Sequence, residues 1–507
     1  MSELAISDYL QTHLNRQGAT PMNRQLYALL RDGILGAAIS PGVRVPASRA
    51  LAADLSVSRN TVTYAYDQLI AEGYLETRAG DGTYVADTEP VLVASPARHE
   101  SSDADGISSR GQRLLSSTGA SAAQWGAFMP GIPDITRFPH HVWSKLQARH
   151  WRTVTPALLT YGDGAGYQPL REAIASHVRS ARSVNCTADQ VIVTSGTHQS
   201  IQLASTLLGE AGDSAWLEDP CYWGTRNMVR SSGLTPVPLP VDDEGMHMSD
   251  QDMRAPPRFI FVTPSHQYPL GTVMSLARRR LLLEYAARHN AWIVEDDYDS
   301  EFRYGGPPLA SLQGLDQHDR VIYLGTFSKT LFPGLRIGFM VVPRALAPAF
   351  ARANAELFRD GQGFLHAVLA DFIQEGYFSS HVRKMRQLYA QRLTCLRQSI
   401  SDEFGDAVIS GGEAGLHLAL KLAPGTNDAA IVADARQHGI LTRALSTYYA
   451  DPGAAQPGLL LGYGAVPTER IQSAFSELAQ VIRRHDAHPA GTDGKPAPRV
   501  KAAASRA

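Results

Sequence analysis

The chain has 507 residues, 44% hydrophobic and 19% charged, with a formal net charge of −2. That length implies two to four domains at the usual ~100–200 residues each, and the near-neutral balance removes any global electrostatic argument for a polyanion partner. No apolar run reaches the ~20 residues that cross a bilayer, Met1-Ser2-Glu3-Leu4-Ala5 lacks a signal peptide's pattern, and Cys186, Cys221 and Cys395 show neither metal-ligand nor disulfide spacing; a cytoplasmic protein with no metal site and no membrane partner is expected.

From Pro21 onward, Leu26, Leu29, Leu30 and Ile34 recur at three- and four-residue intervals, the apolar stripe of a helix that Ile39-Ser40-Pro41-Gly42 stops. Ser48 is expected to cap a short helix over Arg49–Leu55, and Ser58 a second over Arg59–Ile70 that ends by Gly73. Only Ser56 and Val57 separate the two besides the caps, the spacing of a helix-turn-helix. Arg59, Asn60, Thr61 and Thr63 fall in the first turns of the second helix, where a recognition helix meets bases and phosphates, while Val62, Ala65 and Leu69 point inward. Tyr74–Arg78 and Thr83–Val85 flank Ala79-Gly80-Asp81-Gly82, a glycine-rich hairpin that forms a wing. Residues 1–86 carry seven arginines, no lysine and eight acids, so DNA affinity rests on a few placed arginines and on dimerisation rather than on bulk charge.

Residues 87–124 turn to Ser, Ala, Gly, Asp and Arg without sustained periodicity, as in Ser101-Ser102-Asp103-Ala104-Asp105-Gly106, and read as a flexible tether. From residue 125 to 486 the signals alternate. Strands at Val191–Thr194, Ala215–Leu217, Phe259–Val262, Ala291–Val294 and Val321–Leu324 interleave with helices at Leu170–Ser180, Gln199–Leu208 and Leu276–His289, which implies an α/β domain with a mostly parallel sheet. A long helix after Phe378, then Val408, Leu416–Leu420, a helix near Ala429–His438 and Leu459–Tyr463 read as a smaller α+β subdomain. The tail 487–507 is expected to be disordered.

Four strand ends in the large domain each supply one need of a pyridoxal phosphate site. Ser195-Gly196-Thr197 passes from strand to helix, where backbone amides and the helix dipole attract a phosphate. Tyr222 presents an aromatic ring on a loop, suited to stacking on a flat heteroaromatic. A carboxylate within Glu295-Asp296-Asp297 can pair with a pyridine nitrogen and keep it protonated. Lys329 follows a strand with Thr326, Ser328 and Arg336 around it, an amine for an aldehyde and a clamp for a phosphate.

Pro41–Arg49, Val57–Val62, Glu72-Gly73-Tyr74 and Gly80–Val85 resemble the GntR-type winged helix. Tyr161–Arg171, Thr263–Gly271, His381–Arg386 and the four strand ends resemble fold type I aminotransferases, and together the two parts resemble the MocR/GabR-type regulators over nearly the whole chain outside the tether and tail. The resemblance implies DNA contacts at Arg49, Arg59 and Thr61, with the Gly82 region in an adjacent minor groove; Ser58, Asn60 and Thr63 join them as candidates from their place at the start of the second helix. It also implies Lys329 as Schiff-base lysine, Asp296 on the ring nitrogen, Tyr298 on the ring hydroxyl, Tyr222 stacked, and Gly196, Thr197, Thr326, Ser328 and Arg336 around the phosphate. Two positions depart from working aminotransferases. Tyr268 stands where they carry an asparagine, and Leu460 aligns with the arginine that grips a substrate carboxylate, so an ordinary amino-acid substrate is not implied; Arg443 is a candidate replacement anchor.

The preferred expectation is a homodimeric regulator, with domain swapping open to it, that binds an operator of repeated half-sites and senses pyridoxal phosphate, an amine or an amino acid. An active aminotransferase carrying a DNA-binding domain is the alternative, since Lys329 and Asp296 keep half-transamination open. A repressor whose C-terminal domain only dimerises is a third reading.

Overall fold

The computed structural model describes residues 3–87, 106–116, 125–305, 309–359 and 361–486. It divides into two compact units, one ending at Ile107 and one beginning at Ser108. The expected tail and most of the expected tether lie outside the described residues, although an eight-residue helix, Ser109–Ser116, occupies part of the stretch read as structureless.

The first unit closes around one core. Leu26, Leu30 and Ile34 from helix Met22–Leu35 meet Leu51 and Leu55 and the inward face of helix Arg59–Ala71, formed by Val62, Ala65, Tyr66 and Leu69. A helix over Glu3–His13, not anticipated from the sequence, adds Ile6 and Leu10. Ser58 caps as expected, its hydroxyl accepting the Thr61 amide at 3.2 Å. Ser48 does not cap. The helix Ser48–Asp54 already includes it, Ala47 flanks the start without a side-chain bond, and the Ser48 hydroxyl instead accepts from Arg59 Nε at 3.4 Å. The wing pairs β1 (Leu75–Arg78) with β2 (Gly82–Val85), Leu75 opposite Val85 and Arg78 opposite Gly82. Residues 42–45 run along its other side, with the Val45 amide donating to the Thr83 carbonyl and the Val85 amide to the Val43 carbonyl, both at 2.9 Å.

The second unit is built on strands β3 (Val191–Thr194), β4 (Ser214–Asp219), β5 (Thr235–Asp242), β6 (Gly245–Met246), β7 (Phe259–Val262), β8 (Trp292–Asp297), β9 (Val321–Thr326) and β10 (Gly338–Val341). Their order is β3-β10-β9-β8-β7-β4-β5-β6. The five strands from β9 to β5 are mutually parallel, whereas β10 is antiparallel to both neighbours and β6 to β5. The connection 327–337 explains β10: it holds only a short turn at Pro333–Leu335, too little chain for a parallel crossover, so the strand doubles back beside β9. Helices cover both faces of the sheet because its strands are buried on both sides, as the all-buried β3, β7 and β10 show. The smaller subdomain is an antiparallel sheet of β11 (Ile409–Gly411), β12 (His417–Lys421), β13 (Arg443–Ala444) and β14 (Gly458–Gly462), ordered β11-β12-β14-β13. Helices Tyr377–Phe404 and Thr468–Asp486 pack with it in one large core.

Candidate functional site

Residues alternate faces along a strand, and the three acids at the end of β8 are sorted by that alternation. Glu295 accepts the amides of Leu312 (2.9 Å) and Gln313 (3.0 Å), so it caps a short helix. Asp297 takes the Arg182 guanidinium at 2.7 Å and the Tyr323 hydroxyl at 2.6 Å, a buried structural pair. Asp296 is left. Its Oδ1 is buried with no hydrogen-bond partner among the described residues. Burial, then the charge of Asp297, pushes its carboxyl up to about 7 against the opposing pull of Lys329.

Lys329 follows β9 and donates from Nζ to the Gly131 carbonyl at 2.9 Å. Burial lowers its amine below the ordinary lysine range while Asp299 and Asp296 oppose that shift, which raises the share of neutral, nucleophilic amine. Gly131, absent from the sequence expectations, has φ +72°, and a Cβ there would stand 3.1 Å from Nζ. Its only signal was the run Pro130-Gly131-Ile132-Pro133.

The residues expected around a phosphate converge because β3 and β9 end where the antiparallel β10 begins. Gly338 pairs with both Thr194 and Thr326, and a Cβ on it would reach within 2.8 Å of Gly196 Cα. Gly196 has φ +123° and opens the helix Thr197–Leu208, whose first amides face outward from the sheet end. Arg336, in the left-handed region at φ +53°, brings Nη1 to 3.9 Å from where a Gly196 Cβ would sit. The Ser328 amide donates to Thr326 Oγ1 at 3.2 Å.

Aromatic rings line the other side. Tyr222 stacks on His198 with centroids 5.9 Å apart, and burial pushes its hydroxyl up to about 12. Tyr268 meets both Tyr222 and Tyr298 edge-on at 5.7 Å and joins its hydroxyl to that of Tyr448 at 3.2 Å. The Tyr298 hydroxyl lies 2.9 Å from Nδ1 of His266. Leu460 is fully buried against Ala419, Leu445 and Tyr448, and Arg443 on β13 sits directly opposite it. The positive charge of Arg443 opposes the burial-driven rise of the Tyr222, Tyr268 and Tyr448 hydroxyls, so it belongs to this pocket.

In the separate N-terminal unit, Arg49, Ser58, Arg59 and Asn60 are exposed and Thr61, Thr63 and Gly82 are half-buried. Arg44 was not foreseen there: its Nε lies 2.7 Å from where a Gly82 Cβ would be, which places a guanidinium on the wing tip.

Residues 136–460 match the aminotransferase class I and II family, and residues 22–85 match the bacterial regulatory proteins of the gntR family. The probable rhizopine catabolism regulatory protein MocR of Rhizobium meliloti is 41% identical over 92% of this chain and 94% of its own length. The chain belongs to the MocR-type regulators of the GntR family. Another relative, the HTH-type pyridoxine biosynthesis transcriptional regulator PdxR of Corynebacterium glutamicum, is 29% identical over 91% of this chain and 95% of its own. A kynurenine aminotransferase structure from Pyrococcus horikoshii superposes with a TM-score of 0.65 at 25% identity, covering 75% of this chain and 95% of that one. This MocR-type chain is therefore a transcription regulator with a GntR helix-turn-helix and a fold type I aminotransferase-like domain, rather than an aminotransferase with an incidental fusion. The helix-turn-helix implies DNA binding, and the aminotransferase family implies pyridoxal phosphate. No helix among the described residues is long and apolar enough to cross a membrane.

Proposed function

We propose that the second unit binds pyridoxal phosphate and reports on that cofactor, or on an amine or amino acid reacting with it, to the winged helix. The observation that carries this reading is Asp296, a buried carboxylate oxygen without a partner in the same pocket as an amine lowered by burial. A protonated ring nitrogen satisfies that oxygen, Lys329 supplies the amine for the aldehyde, and Gly196, Thr197, Thr326, Ser328 and Arg336 hold the phosphate. Bound there, the cofactor contributes an electron sink. Tyr298 donates to the ring oxygen, and Tyr222 packs on the ring.

Arg443 anchors an anionic effector group. Its place opposite Leu460 supports this, because the strand position aligned with the usual carboxylate-binding arginine is apolar and the cation stands on the neighbouring strand. Arg49, Ser58, Arg59, Asn60, Thr61 and Thr63 contact DNA, with Gly82 at the wing tip. The working units are residues 1–86, a tether over 87–124, the cofactor domain over 125–486 and a tail. The protein acts in the cytoplasm as a homodimer on paired half-sites, with domain swapping allowed by the tether. An effector shifts the regulator by binding one of its states more tightly.

Footprinting of an operator fragment with and without pyridoxal phosphate, then with a panel of amines, tests this. The expected result is protection whose extent or pattern changes with the cofactor or with one amine class, and loss of both the response and the bound cofactor's visible absorbance in Lys329→Ala. A parent protein with no such absorbance, or a footprint indifferent to every addition, overturns the reading.

A further inference from the structure

The hydroxyl of Tyr298 has a single hydrogen-bond partner among the described residues, Nδ1 of His266 at 2.9 Å. Which of the two donates is decided by a third group. Both carboxylate oxygens of Asp299 lie 3.1–3.2 Å from the same Nδ1. A lone pair on Nδ1 would face that carboxylate and be repelled by it, so the proton of the ring belongs on Nδ1. The Tyr298 oxygen then accepts, and its own proton is left for something else.

The surroundings hold this arrangement rigidly. His266 and Asp299 are each about 2% exposed or less. Gly415, at φ +77° in the loop before β12, packs so closely over them that a Cβ would overlap His266 Cε1 and Asp299 Oδ2. Nε2 of His266 is buried without a partner among the described residues, and so is Nδ1 of His417, whose Nε2 donates to the Pro269 carbonyl at 3.1 Å. The two imidazoles are 5.1 Å apart, and burial above all pushes His417 down to about 3. Asp299, Asp296, Glu218 and Tyr268 act on Tyr298, His417 stands beside His266, and Asp297 and Lys329 act on Asp299.

We infer that His266 and Asp299 form a positioning dyad: Asp299 fixes the proton of His266 on Nδ1, and that N–H occupies the Tyr298 oxygen so that the phenol can only donate, toward the ring oxygen of pyridoxal phosphate. This rests on the cofactor reading above and goes beyond it, because it gives a task to two buried side chains that touch no ligand themselves. Without the carboxylate the imidazole is free to carry its proton on Nε2, Tyr298 donates to Nδ1, and the cofactor loses a hydrogen bond.

The full-length protein loaded with pyridoxal phosphate tests it through the pH midpoint of the bound cofactor's visible absorbance. A hydrogen bond donated to the ring oxygen weakens that oxygen's hold on the neighbouring proton, so losing the bond raises the midpoint. Asp299→Asn, nearly isosteric, is expected to raise it by about one pH unit, a tenfold change in the proton equilibrium, and to produce no rise in a Tyr298→Phe background. Loss of the Asp299 charge alone acts in the opposite direction, since a nearby anion favours the protonated, more positive form. An Asp299→Asn midpoint that falls or stays put, or that rises equally in both backgrounds, overturns the dyad while leaving the cofactor reading intact. Absence of the absorbance from the parent overturns both. Should Asp299→Asn fail to accumulate folded, Asp299→Ala, which likewise removes the carboxylate that holds the proton on Nδ1, carries the same expectation in the same two backgrounds.

Discussion

The buried, unpartnered carboxyl of Asp296 costs the empty protein stability. Its carboxyl ionises near 3.8 ordinarily and at about 7 when buried here, so the folded chain binds that proton more tightly than the unfolded one. The favourable contribution is complete only below the unfolded value and is lost as pH rises through 7. Asp296→Asn removes this pH-dependent loss. Thermal unfolding of the cofactor-free proteins should show the variant gaining on the parent by about 2 kcal/mol between pH 5 and pH 7, with only a few tenths more as the titration completes about one pH unit higher. The same substitution should weaken pyridoxal phosphate binding by about 10- to 100-fold, since a charge-assisted hydrogen bond is lost. A variant that binds the cofactor as tightly as the parent would show that Asp296 is not its partner. At this scale the sequence already singled out Lys329, Asp296 and Arg336 as candidates, because each follows a recognisable strand. It hid Gly131, His266 and Asp299, whose partners are brought to them from remote segments and leave no local pattern.

The elements repeat that division between local and distant causes. Helix Leu276–His289 and the Ser58 cap follow from short-range spacing and were readable as such. Strand β5 carries Pro236, Pro238 and Pro240, which argue against a strand, yet prolines at every second position spare the intervening amides for pairing with β4. Strand β10 is not among the strands read from the sequence and becomes one by inserting between β3 and β9. The proposed recognition helix, Arg59–Ala71, likewise follows from local spacing. Arg59 is exposed in its first turn, and its nearest bonded group is the Ser48 hydroxyl at a long 3.4 Å, so its charge is available to a phosphate. Arg59→Ala should weaken binding to specific and unrelated duplexes alike and reduce the log–log salt dependence of affinity by about one. Binding isotherms at several salt concentrations check this, and an unchanged slope would assign Arg59 elsewhere.

For the whole molecule, the question is what supplies DNA affinity to a reader unit with eight acids against seven arginines. In the homodimer proposed above, two reader units would supply it, because the second half-site is then bound at an effective concentration set by the linkage between them rather than by the bulk. The cofactor domain carries a surface suited to joining two copies. Trp151, Leu159 and Tyr161 are 56%, 59% and 65% exposed, the Trp151 ring lies 4.2 Å from that of Phe364, and Arg359 covers Tyr161 at 4.8 Å. Large apolar groups gathered on a water-facing surface are costly unless something covers them. A double substitution, Trp151→Glu with Leu159→Glu, places two carboxylates in that patch and disturbs no residue assigned to the cofactor. It should convert the protein to monomer in sedimentation velocity and lower affinity for a two-half-site duplex by about 100-fold or more. Affinity for a single half-site should stay as in the parent, since each reader unit is untouched. If the doubly substituted protein still sediments as the parent does, the copies join through another face; if it becomes monomeric and keeps its affinity for the paired site, one reader unit suffices for the operator.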